Sequence, residues 1–255
     1  MAILDVNNIR KVYITRFGGN RVEALRDINF SVEEGEYVAI MGESGSGKST
    51  LLNILAALDQ PTSGEVLLDG KPMGDIPEKE LAAFRRENLG FVFQDFNLLD
   101  TFSIRDNIYL PLVLSGHVGP TEMALRIKPL AQRLGIEQLL AKYPYEVSGG
   151  EKQRAAIARA LITGPRLLLA DEPTGALDSR ATDGLLDIFE EVNRQGQTIL
   201  MVTHSTKAAS HAKRILFIKD GQIFHQIYRG DMSRASLFQQ IADAQAALMT
   251  GGDAQ

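Results

Sequence analysis

The chain of 255 residues has no cysteine and no tryptophan, and only 7% of it is aromatic. Without cysteine there is no disulfide and no thiolate metal site, and a reducing compartment is compatible. Long hydrophobic runs are missing as well. No apolar stretch approaches the roughly 18 residues that span a bilayer. If the protein works at a membrane, another chain must supply the spans. The start, Met1-Ala2-Ile3-Leu4-Asp5, lacks a basic segment followed by an apolar one, so no secretory signal is expected. An excess of positive charge is absent too: 27 Lys and Arg stand against 32 Asp and Glu, a net charge of −5. That balance argues against a nucleic-acid partner, which would favour a basic face.

What is present is ordinary globular composition, 44% hydrophobic and 23% charged. The length suits one large domain, or one domain with a smaller lobe. Patterning predicts strands over residues 3–13, 36–41, 64–69, 89–93, 166–171 and 198–203. Helices are expected over 48–58, 148–163 and 181–195, and a hairpin over 213–219 and 222–228 around Asp220-Gly221. The middle holds helical patterns over 103–114, 121–134 and 136–140, broken by Gly116, Gly119, Pro120 and Gly135. Alternating strands and helices around a helical lobe indicate an α/β core. A last helix, 233–248, places Leu237, Ile241, Ala244 and Leu248 on one stripe, suited to packing on its own domain or on a partner.

Gly42-Glu43-Ser44-Gly45-Ser46-Gly47-Lys48-Ser49 fits G-x4-G-K-[ST], between a predicted strand and a predicted helix that continues with Thr50. The glycines let backbone amides close around phosphates, and the helix presents its positive end to the same anion. Lys48 can reach the terminal phosphates of ATP, and Ser49 can offer its hydroxyl to Mg²⁺. Leu167-Leu168-Leu169-Ala170-Asp171-Glu172 is an apolar strand ending in two carboxylates. Asp171 suits the Mg²⁺ shell, and Glu172 suits a general base on water. His204, at a strand end, can donate to the γ-phosphate. Gln94, also just after a strand, can touch Mg²⁺ or water.

Val147-Ser148-Gly149-Gly150-Glu151-Lys152-Gln153-Arg154 is a second glycine pair at a helix start, hence a second anion site. The first site already cradles the phosphates. A two-fold dimer resolves this, each such helix covering the ATP held by its partner.

In order, Tyr13, residues 42–49, Gln94, Ser148-Gly149-Gly150, Asp171-Glu172, Ala176-Leu177-Asp178 and His204 resemble the ATP-binding-cassette (ABC) family of ATPase subunits over the whole chain. The resemblance implies a P-loop NTPase core with an antiparallel β subdomain and a helical lobe. On that reading residues 1–255 form one domain. Residues 1–95 and 160–228 are the catalytic core, 96–159 the helical lobe with the signature, and 229–255 a helical tail. It further implies that Tyr13 stacks on adenine with Val22 nearby, and that Gln94 couples the nucleotide to a membrane permease. Ser148 and Gly150 would bind the γ-phosphate of a second copy bound head to tail, with Gly149 and Glu151 beside them at that nucleotide, and Asp178 would signal across that dimer. The place of work would be the inner face of the cell membrane, peripherally. Three positions depart from the family pattern: Val147 for leucine, Glu151 for glutamine and Gly175 for serine.

Residues 91–100 and 172–179 resemble the branch with lipoprotein-release, macrolide-efflux and antimicrobial-peptide ATPases. Residues 97–107 and 142–148, with the tail segments 218–223, 228–230 and 237–241, resemble the bacitracin-type peptide exporters. Members of that group pair two ATPase chains with a many-span permease, often beside a sensor kinase. A signalling or division ATPase without transport stays open. A DNA-repair type does not fit, because the roughly hundred residues between Lys48 and Ser148 carry no sustained heptads. Phe96, Leu98, Leu99 and Phe102 suit either a docking surface or plain burial.

Overall fold

The computed structural model of the chain describes residues 2–14, 19 and 21–250, and of residues 248–250 the backbone only. The side chain of Leu248 and residues 251–255 of the expected tail lie outside the described residues. In chain order the elements are β1 (Ala2–Ile14), β2 (Arg21–Glu33), β3 (Tyr37–Met41), α1 (Lys48–Leu55), β4 (Ser63–Leu68) and β5 (Lys71–Pro72). Then come α2 (Glu78–Asn88), β6 (Leu89–Val92), α3 (Ile104–Ser115), α4 (Pro120–Leu134), α5 (Gly149–Leu161) and β7 (Leu167–Asp171). The chain closes with α6 (Ser179–Arg194), β8 (Thr198–Val202), α7 (Thr206–Ala209), β9 (Arg214–Lys219), β10 (Gln222–Tyr228) and α8 (Arg234–Thr250).

These strands make two sheets. One is antiparallel, in the order β2-β1-β4-β5; the other runs β10-β9-β3-β8-β7-β6. In the second sheet β9, β3, β8, β7 and β6 are parallel neighbours, and β10 is an antiparallel edge. β3 and β8 are buried at every position, as strands covered on both faces must be. Alternate residues serve different cores. Tyr37, Ala39 and Met41 pack with Leu168, Ala170, Met201 and the helical lobe. Val38 and Ile40 pack with Leu169, Leu200, α1 and the antiparallel sheet. Each large aliphatic side chain buried this way stabilises by about 1.5–3 kcal/mol.

Ile104, Ile108 and Leu112 of α3 and Ile127, Ala131 and Leu134 of α4 pack against Ala155 and Ala158 of α5, making the lobe continuous with the larger core. Buried Asn107 ties the lobe to the preceding loop. It accepts from the Leu99 N–H at 2.8 Å and donates to the Leu99 carbonyl at 3.0 Å. The tail helix packs on its own domain: Leu237 and Ile241 are fully buried, and Arg234 pairs with Glu190 at 2.8 Å. Thr206 donates to Gln245 at 2.6 Å. Among the described residues no helix is long and apolar enough to cross a membrane.

Some expectations need correction. Residues 136–140 form only a single tight turn, Glu137–Leu139, because Gly135 ends α4 in a left-handed conformation (φ 63°). The helix expected to reach residue 58 ends at Leu55, and Ala57 is left-handed (φ 52°). β2 and α2 have no counterpart in the sequence reading. β2 interleaves charged residues and is offset by register shifts against β1, which erases its alternation. α2 has no buried residue, so it carries no apolar stripe; only its strong helix formers mark it.

Candidate functional site

Four of the loops that carry predicted residues leave the same edge of the parallel sheet. Residues 42–47 follow β3, Gln94 follows β6, Glu172 follows β7 and His204 follows β8. Carboxyl ends of parallel strands are where open α/β sheets place their ligands.

The loop after β3 is forced to be glycine-rich by its neighbours. A Cβ on Gly42 would lie 2.3 Å from the carbonyl oxygen of Ile218 in β9. Gly47 has φ +103°, and its Cβ would lie 2.6 Å from the carbonyl oxygen of Ala24. No side chain fits either place. Lys48 is buried and donates to the carbonyls of Gly42 at 2.8 Å and Glu43 at 2.7 Å. Burial holds its pKa below that of an ordinary lysine, against the opposing pull of Glu172, Asp171 and Glu43. The hydroxyl of Ser46 is buried with no hydrogen-bond partner. An orphan donor inside a cradle of backbone N–H groups fits a phosphate.

Asp171 ends β7. Burial raises its pKa, and the adjacent Glu172 raises it further. Glu172 sits in the left-handed region (φ 44°), a conformation that costs a residue with a Cβ about 1–3 kcal/mol. Neighbours hold it there: its N–H donates to the Val202 carbonyl at 2.9 Å. Its carboxylate accepts the His204 backbone N–H at 3.2 Å and lies 2.9 Å from His204 Nδ1. His204 therefore orients Glu172, while its side chain stays 74% exposed. Ser44, Gly45, Gly47, Lys48, Ser49, Thr50, Gln94, Asp171, Glu172 and His204 line one cleft of about 400 Å³. Gly42, Glu43 and Ser46 line a neighbouring cavity of about 360 Å³ that also touches His204 and Gln245. Ser49, Gln94 and Asp171 offer oxygen donors in the first cleft, a set suited to a hard cation such as Mg²⁺.

Tyr13 and Val22 are cross-strand neighbours next to the last pair of the β1–β2 ladder, Ile14 and Arg21, and both are exposed. The Tyr13 hydroxyl donates to Asp59 at 2.8 Å, and the Lys11 ammonium lies 4.9 Å from the ring centroid. Burial, then the Asp59 bond, raises the phenol pKa; Thr50, from the cleft, also meets this hydroxyl. Asp59 and Lys11 escaped the sequence reading because nothing in their local pattern marks them.

The signature residues lie elsewhere. Ser148, Gly149, Gly150 and Asp178 line a second cleft of about 480 Å³ with Arg154, Arg180 and Ala181, and none of these lines the first. The N-termini of α5 and α6 both open onto it. Ser148 caps α5, donating its hydroxyl to Glu151 at 2.8 Å and accepting the Glu151 N–H at 3.4 Å. Glu151 also accepts the Ser148 N–H at 2.8 Å. These bonds hold the Glu151 carboxyl below its usual range. Such a reciprocal cap takes Glu or Gln, so the departure at Glu151 preserves the helix start. Asp178 caps α6 by accepting the Ala181 N–H at 2.8 Å. One chain thus assembles the two groups of predicted residues in two places. Arg180 is an additional cation there that sequence reading did not single out.

Comparison with known proteins gives a consistent family. The family described as ABC transporter matches residues 25–175, more than half of the chain. The chain is 50% identical over 253 residues to the ABC transporter ATP-binding protein YxdL of Bacillus subtilis (strain 168), covering 99% of this chain and 96% of that one. It is 47% identical over 249 residues to the bacitracin export ATP-binding protein BceA of Halalkalibacterium halodurans, covering 97% of each. Among solved structures, the dimer of a bacterial ABC transporter cassette is similar, with a TM-score of 0.80 and 38% identity over 88% of this chain and 98% of that one. The same fold was solved as a post-hydrolysis dimer bound to ADP and Pi, with a TM-score of 0.79 and 38% identity over the same shares.

Proposed function

The chain belongs to the ABC transporter family, as an ATP-binding and ATP-hydrolysing subunit, and on that premise we propose how its residues divide the work. The separation of the two clefts carries the reading. Residues 42–50 hold the phosphates, once Lys48 exchanges the carbonyls of Gly42 and Glu43 for phosphate oxygens. Tyr13 stacks on adenine beside Val22. Ser49, Gln94 and Asp171 hold Mg²⁺, which neutralises charge on the phosphate oxygens when bound. Glu172, oriented by His204, takes the proton of the attacking water. His204 also donates to the γ-phosphate. Ser148, Gly149, Gly150 and Glu151 of a second copy complete the site head to tail, and Asp178 couples the two halves. The core–lobe division at residues 96–159, with 229–255 as tail, follows the same logic.

The power is delivered to a separate membrane permease, with the chain held peripherally at the cytoplasmic face. Gln94 and the following loop are its contact. Leu99 and Phe102 are exposed there at 44% and 39%, while Phe96 and Leu98 are partly buried. The cargo class is bacitracin-like antimicrobial peptide, in export or resistance, with a sensor kinase reached through the permease. The 47% identity to a bacitracin export ATPase over nearly the whole chain supports this. A macrolide-efflux or lipoprotein-release role is the second reading; its macrolide arm is supported by 43% identity over 88% of this chain and 34% of the macrolide export ATP-binding/permease protein MacB of Wolinella succinogenes. Gene deletion tests the choice. Sensitivity to bacitracin-like peptides should rise and a permease should co-purify with the intact chain; no change across a peptide panel sinks the peptide assignment.

A further inference from the structure

Gln153 lies in the second turn of α5 and is fully buried, an unusual place for a primary amide. Its Nε2 donates to the carbonyl of Phe93 at 3.1 Å and to the carbonyl of Pro173 at 2.8 Å. Both amide hydrogens are then used. Phe93 directly precedes Gln94, and Pro173 directly follows Glu172. The Gln153 oxygen is buried with no hydrogen bond. The side chain is thus kept for its two donors, in spite of an orphan acceptor.

Two further contacts point the same way. Arg159, on the same helix, donates to the carbonyls of Phe96 at 2.9 Å and Asn97 at 2.5 Å. Gln94 is therefore bracketed on both sides by side chains of α5. Gly175 sits in the turn closed by its N–H on the Glu172 carbonyl at 2.9 Å. A Cβ at Gly175 would lie 3.0 Å from both Cδ and Nε2 of Gln94. The end of the Gln94 side chain thus lies against the Glu172 turn.

We propose that Gln153 is a positioning residue for ATP hydrolysis: it ties the Gln94 loop and the Glu172 turn to the second turn of α5 and so sets their relative placement. The proposal rests on the assignment of Gln94 and Glu172 to the reaction. The test uses the full chain. Gln153→Met keeps the volume and removes both donors. Its kcat should fall about tenfold or more while the equilibrium Kd for ATP stays within about twofold, because only the hydrolytic geometry is lost. Glu172→Gln is measured beside it. Normal hydrolysis by Glu172→Gln means that the underlying assignment has failed. A dead Glu172→Gln with near-normal kcat in Gln153→Met means that this proposal alone has failed. Parallel loss of kcat and ATP affinity in Gln153→Met makes the residue merely structural and also overturns it. Where Gln153→Met does not fold, Gln153→Asn decides: it keeps the amide but is one methylene too short to reach the Phe93 and Pro173 carbonyls together. Its kcat should drop about fivefold at unchanged ATP affinity, and normal turnover would refute the tie.

Discussion

The cleft at Gly42–Ser49 and the cleft at Ser148–Gly150 differ in what their charged groups touch. In the first, Lys48 is desolvated and bonded to the carbonyls of its own loop. Asp171 is pushed toward its protonated form, and Glu172 is held in an unfavourable backbone region. In the second, Ser148, Glu151 and Asp178 all have hydrogen-bonded partners at two helix starts. The first cleft stores unfavourable electrostatics that a phosphate and a cation would relieve. The second is a shelf of capped helix N-termini without such a carboxylate pair, although the buried Nε of Arg154 beside it has no hydrogen-bond partner. The two places are thus built differently: a desolvated lysine and a carboxylate pair in the first, reciprocal helix caps in the second.

The strongest way to break this contrast is Glu172→Gln. Loss of a positioned general base should lower kcat by about 10²–10⁴-fold with ATP binding retained. Turnover near the wild-type rate would remove the reactive character of the first cleft. Next comes Ser148→Arg, which fills the second cleft. ATP binding by the isolated chain should persist, while ATP-dependent dimerisation disappears and turnover falls by about 10²-fold. If ATP affinity of the monomer collapsed instead, the two clefts would not be independent.

The smallest effect concerns stability. The Asp171 carboxyl titrates above its ordinary value in the folded chain. A raised carboxyl pKa means that folding is penalised where the unfolded residue is ionised, and the penalty fades as pH falls through the raised value. Asp171→Asn should therefore raise the melting temperature of the nucleotide-free chain at neutral pH by roughly 2–4 °C. A lower melting temperature would show that the ionised carboxylate is stabilising after all.

Legibility followed locality. The loop at residues 42–49 and the signature at 147–154 are contiguous, and in the first the glycines at 42, 45 and 47 answer to backbone conformation and close approach, which short sequence patterns record. The buried parallel strands were legible because both faces must be apolar, leaving short uninterrupted runs. β2 was not, since bulges and exposed charges hide its period. Nor was the tail decidable: an apolar stripe has the same spacing whether it meets its own domain or a partner.

The sequence by itself pointed to a phosphate-binding loop and to the family, because the runs that carry them, 42–49, 147–154 and 171–178, are each contiguous along the chain. Only the tertiary structure decided which groups share a cleft, that α8 closes on its own domain, and that Gln153 reaches carbonyls 60 residues before it and 20 after it. Those contacts arise where α5 packs against the edge of a sheet built from distant strands, and no local spacing encodes them.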